Sequence, residues 1–262
     1  MEFRPCIDLH DGKVKQIVGS SLNDDSSRVV ENFSTDKSPA EFAELYKKDN
    51  LRGGHIIKLG AGNDDAAKEA LSAWQNAFHI GGGINDENAG GWLDLGASHV
   101  IVTSFVFKDG KINLENLKKL KKALGKERIV LDLSCKKHKK LYRIVTDRWQ
   151  NFTQETVCAE SLEFLSEYCD EFLIHAADIE GKKGGADLEL VELLAKYSPI
   201  PTTYAGGISS IEDIEKMRMH GKGRINFTVG SALNIFGGNL DYATTVEAGK
   251  KKDGGFSGLF SG

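Results

Sequence analysis

Short runs rich in β-branched and aromatic residues alternate along this chain with longer segments whose apolar positions recur at helical spacing. The runs Pro5 to Leu9, His55 to Leu59, Phe78 to Gly81, His99 to Val102, Ile129 to Leu133, Phe172 to His175, Thr202 to Ala205 and Asn226 to Val229 predict eight strands. Between them, Ala40 to Lys48, Ala66 to Asn76, Leu114 to Leu124, Ser161 to Tyr168, Leu188 to Lys196 and Ile211 to Met219 predict helices. Two helix starts carry capping signals, Ser38-Pro39-Ala40-Glu41 and Ser209-Ser210-Ile211-Glu212, each a hydroxyl followed three residues later by a carboxylate. Strands alternating with helices mean a parallel α/β sheet, and eight of them is the count of a closed (β/α)8 barrel, the TIM architecture. Open doubly wound sheets usually stop at about five to seven strands. The loops after strands one, two, five and six read as the long ones, and loops after strands are where such barrels build their active sites.

The two halves of the chain repeat one another. Ile7-Asp8-Leu9 returns as Leu131-Asp132-Leu133, and Gly82-Gly83-Ile84 returns as Gly206-Gly207-Ile208, both at an offset of 124 residues. Val102-Thr103-Ser104 is answered by Val229-Gly230-Ser231 at an offset of 127. The predicted fold is therefore one barrel built from two duplicated half-barrels. Strands one and five of an eight-stranded ring face each other across the axis, so Asp8 and Asp132, each near the C-terminal end of its strand, are expected to flank one small molecule. An aspartate at a strand end can also merely cap its turn; a pair in register across a duplicated barrel favours an acid/base pair.

Backbone N–H groups bind phosphate only where no side chain blocks the approach. Gly206-Gly207 before the capped helix, with Gly230-Ser231 after the last strand, predict one phosphate seat made of N–H groups and a helix N-terminus. Gly82-Gly83 with Thr103-Ser104 predict a second on the opposite side of the mouth, so the expected partner is a small molecule carrying two phosphates.

Composition narrows the field without adding chemistry. In 262 residues, 40% hydrophobic and 27% charged with a formal net charge of −4, there is no wide basic face for nucleic acid, and no apolar run approaches a membrane span. The N-terminus shows no tripartite leader pattern, which predicts a cytoplasmic protein. Cys6, Cys135, Cys158 and Cys169 are irregularly spaced, and Cys135 with His138 lacks a second ligand pair, so neither disulfide nor metal is expected. Residues 1–250 are expected to form the barrel and the glycine-rich residues 251–262 a mobile tail.

The segments Cys6 to Val14, Gly81-Gly82-Gly83-Ile84, Leu131-Asp132-Leu133, Ala205 to Ser209 and Val229-Gly230-Ser231 together resemble the histidine-biosynthesis half-barrel family over nearly the whole chain, and within it the eukaryotic isomerase branch. The resemblance implies an Amadori rearrangement of an aminoaldose to an aminoketose, with Asp8 as general base and Asp132 as general acid, no metal or organic cofactor, and a monomer. It also implies a raised pKa for Asp132 in apolar surroundings. The cyclase branch carries a lysine shortly after its first Asp-x-x-Asp-Gly; after Asp8-Leu9-His10-Asp11-Gly12 the equivalent residue here is Gln16, with Lys15 expected on the opposite strand face. Departures from the bacterial pattern are His175 where threonine is usual, Glu180-Gly181-Lys182 in the following loop, and Lys58 where aspartate is common. His175 is expected either to orient substrate and assist proton transfer or to be a bonded structural residue. Lys58 either supports a phosphate or pairs with a neighbour. The basic loop from Lys136 through Arg143 to Arg148 and Trp149 is expected to form a hairpin over the mouth, steering an anionic substrate, with Trp149 stacking on its imidazole.

Overall fold

The computed structural model describes residues 1–17, 31–147, 149–179 and 184–251. Among these residues eight parallel strands run β1 (Cys6–His10), β2 (Gly54–Lys58), β3 (Phe78–Gly81), β4 (His99–Val102), β5 (Ile129–Asp132), β6 (Glu171–His175), β7 (Thr202–Ala205) and β8 (Ile225–Phe227), hydrogen-bonded in chain order. The ring closes where β8 meets the residues before β1: Phe3 bridges Phe227, Arg4 N donates to Phe227 O (2.9 Å) and Phe227 N donates to Glu2 O (3.0 Å). The strand ends move by a residue or two from those expected, and the count of eight and the half-barrel order stand.

Among the described residues eight α-helices clothe the barrel: α1 (Pro39–Lys48), α2 (Asp64–Ala73), α3 (Ala89–Asp94), α4 (Leu114–Leu124), α5 (Ala159–Ser166), α6 (Leu188–Tyr197), α7 (Ile211–His220) and α8 (Tyr242–Lys250). Two of them escape the periodicity. Helix α3 contains Gly90 and Gly91, poor helix formers, and is held by burial of Ala89 and Trp92. Helix α8 is rich in threonine and is started by Asp241, whose carboxylate accepts from Thr244 N (2.8 Å) and Thr244 Oγ1 (2.7 Å). At its far end Gly249 lets the helix press on the seam, since a Cβ there would lie 2.7 Å from Phe3 Cβ. The Ser38/Glu41 capping box on α1 forms as expected. On α7 the box is one residue later than expected, between Ser210 and Asp213.

Side chains alternate along each strand between the helix-covered core and the barrel interior. Phe78, Phe172, Phe227, Ile7 and Ile56 point outward into the main core against the helices. Inward-facing Ile101, Val130 and Leu173, with Ile57, form a small apolar plug inside the barrel. Below the plug lies a polar floor in which Glu171 pairs with Arg4 and accepts from Thr203 Oγ1 (2.7 Å). Register places His55, His79 and His99 side by side on β2, β3 and β4. Strands of a barrel tilt relative to its axis, so this row slopes: its His55 end faces His175 (6.3 Å between rings) and its His99 end faces Asp170 (3.4 Å).

The loops correct one expectation. Only residues 59–63 connect β2 to α2, a short turn organised by fully buried Asn63, whose Nδ2 donates to Leu59 O, Gly60 O and Ala61 O and whose Oδ1 accepts from Gly12 N (2.9 Å). The longer insertion is after β4, where a 3-10 turn (Ser104–Val106) is followed by a two-stranded ribbon, Phe107–Lys108 with Lys111–Ile112. After β1 the chain turns back as Lys13–Ile17, antiparallel to β1, and pairs with Glu31–Ser34. After β5 it forms a three-stranded antiparallel sheet, Cys135–His138, Leu141–Thr146 and Asn151–Thr156. Arg148, the segment Glu180-Gly181-Lys182 and the glycine-rich end from residue 252 fall outside the described residues.

Candidate active site

Strand order puts three strands between β1 and β5 whichever way the ring is followed, so the C-terminal ends of β1 and β5 oppose each other at the mouth. Asp132 is the last residue of β5 and Asp8 the third of five in β1, two residues before its end, both half-buried.

Asp8 is met from the returning strand: Gln16, 4% exposed, donates from Nε2 to Asp8 Oδ2 at 2.8 Å. Lys15 points to the other side, against Asp11 Oδ2 (3.2 Å) and His10 Nδ1 (3.5 Å), the face opposite Gln16, as strand alternation requires.

Asp132 is met from two directions. Its Oδ1 accepts from Ser134 N (2.9 Å) and Ser134 Oγ (2.7 Å), and His175 Nδ1 stands 3.6 Å from the same oxygen. Burial, the largest influence on this carboxyl, pushes its pKa up. The His175 charge, followed by the His175 and Ser134 donors, outweighs burial, and the net result lies below the ordinary aspartate value. The expected rise is therefore overturned: the surroundings of Asp132 are polar rather than apolar. His175 in turn is flanked by His55, fully buried and driven by desolvation down to about 3, and by the Trp149 ring at 5.8 Å. Trp149 thus rests on a protein imidazole, with its carbonyl held by Lys136 Nζ (2.8 Å).

The glycines occupy backbone shapes that other residues enter only with strain. Gly82 (φ +95°) lies so close to β2 that a Cβ would fall 2.1 Å from Lys58 O. Gly83 (φ +69°) is exposed, with nothing within 4 Å of where its Cβ would be. Thr103 precedes the 3-10 turn begun by Ser104, whose Oγ accepts from Asp147 N (3.4 Å) at the tip of the sheet after β5. On the other side Gly207 (φ +74°) backs onto Gly185, with Gly185 N donating to Gly207 O (2.9 Å). Gly206 (φ +122°), Gly230 and Ser231 complete that rim. One expected donor set is already engaged: Asp213 Oδ2 accepts from Ser209 N (2.9 Å) and Ser210 N (3.0 Å). The start of α7 therefore spends those N–H groups on its own carboxylate, and an anion here is left to the glycine loops.

Lys58 pairs with Asp64 (2.9 Å) and lies 4.0 Å over the Trp92 ring, which is the neighbour-pairing alternative. Lys137 is bound to Glu189 (2.6 Å). Sequence reasoning missed Ser134 and His55 as partners of the mouth and valued Gln16 only as a family marker; the hydroxyl two residues after Asp132 was the one local signal available. No group of three or more histidine, cysteine, aspartate or glutamate side chains suited to a metal occurs among the described residues, and none of their helices is long and apolar enough to cross a membrane.

Comparison with known proteins agrees with this arrangement. Residues 2–240 match the family model described as histidine biosynthesis protein. The chain is 54% identical to the chloroplastic 1-(5-phosphoribosyl)-5-((5-phosphoribosylamino)methylideneamino) imidazole-4-carboxamide isomerase of Medicago truncatula, over 94% of this chain and 81% of that protein. It is 46% identical to the isomerase of the same name from Yarrowia lipolytica, over 95% of this chain and 98% of that one. It is 44% identical to that from Saccharomyces cerevisiae, over 91% and 94%. A barrel of two half-barrels with an aspartate on β1 and another on β5, together with these relatives, places the chain in the histidine biosynthesis protein family.

Proposed function

We infer that this chain is the aldose–ketose isomerase of histidine biosynthesis, converting the phosphoribosylformimino-aminoimidazole carboxamide ribotide to its ribulosyl form, the activity that the relatives' names state. The observation that carries the chemistry is the pair of carboxylates on opposed strands, Asp8 on β1 and Asp132 on β5.

The reaction needs a proton given to the ribose ring oxygen, so that the C1′–O4′ bond breaks as the nitrogen lone pair forms C1′=N. It then needs a proton removed from C2′ to give the enolamine, which becomes the ketone as C1′ is protonated and the C2′ hydroxyl loses its proton. In this reading Asp8 takes the C2′ proton. The Asp132–His175 pair supplies the ring-oxygen proton: with the carboxyl of Asp132 held below its ordinary value, the proton is shared with the imidazole, and the carboxylate orients the ring. One phosphate sits on Gly82, Gly83, Thr103 and Ser104, the other on Gly206, Gly207, Gly230 and Ser231, and these two anchors fix the ribose between the carboxylates. Trp149, already against His175, forms an aromatic wall of the mouth on which the substrate imidazole stacks.

The test is to incubate the purified protein with the aminoaldose ribotide and ammonia, without a partner protein, and follow products by NMR. Formation of an aminoketose of unchanged mass, lost in Asp8→Asn and in Asp132→Asn, supports the assignment. Cleavage of the aminoketose into two products, with no isomerisation, would overturn it in favour of cyclase chemistry.

A further inference from the structure

Gln16 is buried in the mouth without a place in the mechanism above. Its strand turns back antiparallel to β1, with Leu9 opposite Val14 and His10 opposite Lys13, and this pairing carries the side chain of Gln16 in over Asp8. The amide makes two contacts through Nε2, to Asp8 Oδ2 at 2.8 Å and to Cys6 Sγ at 3.8 Å. Its orientation is set by charge: the reversed amide would bring a carbonyl oxygen against a carboxylate oxygen. The carbonyl end fixes the other side of the assembly. A Cβ on Gly230 would lie 2.4 Å from Gln16 Oε1, so the glycine after β8 makes room for this amide as well as for a ligand.

We propose that Gln16 is a positioning residue for the base, its amide holding Oδ2 of Asp8 so that Oδ1 is presented to the C2′ proton. A carboxylate free to rotate about its terminal bond offers either oxygen over a broad range of angles. A buried donor at 2.8 Å removes that freedom, and a charge-assisted bond shielded from water is one of the stronger single hydrogen bonds a protein makes. A primary amide also suits the task because it neither titrates nor gives up a proton, so it can sit against a base through the catalytic cycle without quenching it. The same side chain links the base to the loop after β8, where the second phosphate is placed. A phosphate that orders that loop also secures the amide, so binding at one end of the substrate and readiness of the base at the other are coupled through one residue.

This inference rests on Asp8 being the base, and the experiment separates the two. Steady-state kinetics are measured for Gln16→Met, which keeps the shape and removes the donor, for Gln16→Asn, which keeps the amide but withdraws it by one methylene, and for Asp8→Asn, each with its melting temperature. The expected result is a loss of kcat of about 10- to 100-fold in both Gln16 variants, with KM changed by less than about threefold. The isosteric Gln16→Glu, which sets a second carboxylate against Asp8, loses more than either. Normal kcat in Gln16→Met, or a loss confined to KM, overturns the proposal while an inactive Asp8→Asn keeps the base assignment intact. An active Asp8→Asn overturns the base assignment itself. Should Gln16→Met melt far below the parent, Gln16→Asn decides, because a folded variant with parental kcat overturns the positioning role.

Discussion

His175 Nδ1 lies 3.6 Å from Asp132 Oδ1, and that oxygen also takes both donors of Ser134. In the proposed reaction the acid side of the mouth is therefore a coupled pair rather than a lone carboxyl, and its protons belong to the pair. Replacing His175 with asparagine leaves a carboxyl as the carrier of the proton and removes the charge that holds Asp132 down. The expected outcome is a kcat lower by about 100-fold or more, with the alkaline limb of the kcat profile moved to lower pH as the carboxyl alone must stay protonated. A His175→Asn enzyme with the parental pH profile would remove the imidazole from the proton path.

Gly82 and Gly83 separate a glycine packed on protein backbone from one that faces open space. Alanine at Gly82 would collide with Lys58 O at 2.1 Å and so displaces β2 or its own loop, lowering stability. Alanine at Gly83 meets no protein atom within 4 Å, and its cost to stability is that of a left-handed backbone, about 1 kcal/mol. If Gly83 faces a phosphate, Gly83→Ala will melt close to the parent yet raise KM at least tenfold. Unchanged KM in the folded variant would place the phosphate elsewhere.

Much of this architecture could be read from the chain because each strand is a short apolar run between turn residues, and the offset of 124 residues tied Asp8 to Asp132. The polar interior could not. His55, His79 and His99 are scattered in sequence and become one row only through strand register, which parallel pairing fixes in three dimensions. The same holds for Asp132, for which the family resemblance implied apolar surroundings. Alternation sends Leu131 and Leu133 outward and leaves the carboxylate facing His175. Helices α3 and α8 were hidden by glycine and threonine, whose propensities tertiary packing overrides.

That histidine row sets the response to acid. Desolvation lowers His55 to about 3, His79 well below the ordinary histidine value, and His99 more modestly, the last opposed by Asp170. A histidine whose folded pKa is depressed binds its proton more readily in the unfolded chain, so its contribution is present above the unfolded value of about 6.5 and is lost as pH falls below it. Glu171, raised by burial against the pull of Arg4, has the opposite sign: its contribution is full below the ordinary glutamate value and fades as pH rises. Between about pH 5 and 6.5 the histidines dominate, at up to about 1.4 kcal/mol per proton per pH unit. Urea midpoints should therefore rise steeply from pH 5 to 7, and His79→Gln should flatten the slope. A midpoint independent of pH over that range would contradict the buried neutral row.

Arg4 ties the closing seam of the barrel to its far wall. Its backbone N–H donates to Phe227 O (2.9 Å), joining the chain before β1 to β8, while its guanidinium pairs with Glu171 at the start of β6. Gly53 leaves space for that guanidinium, since a Cβ there would stand 2.7 Å from Arg4 Nη1. Glu171 is 5% exposed, and its second oxygen accepts from Thr203 Oγ1 on β7, so the floor is one connected network. Removing one member of such a pair strands a buried charge, whereas removing both leaves mainly a change of packing. Arg4→Met is expected to lose about 3–5 kcal/mol of stability, and Arg4→Met combined with Glu171→Gln to recover most of it. The kinetics of the double variant should stay near the parent, because Leu173 of the apolar plug lies between Glu171 and His175 on the inward face of β6. A double variant as unstable as Arg4→Met alone would mean that the arginine stabilises the seam by packing and backbone order, with Glu171 a passenger.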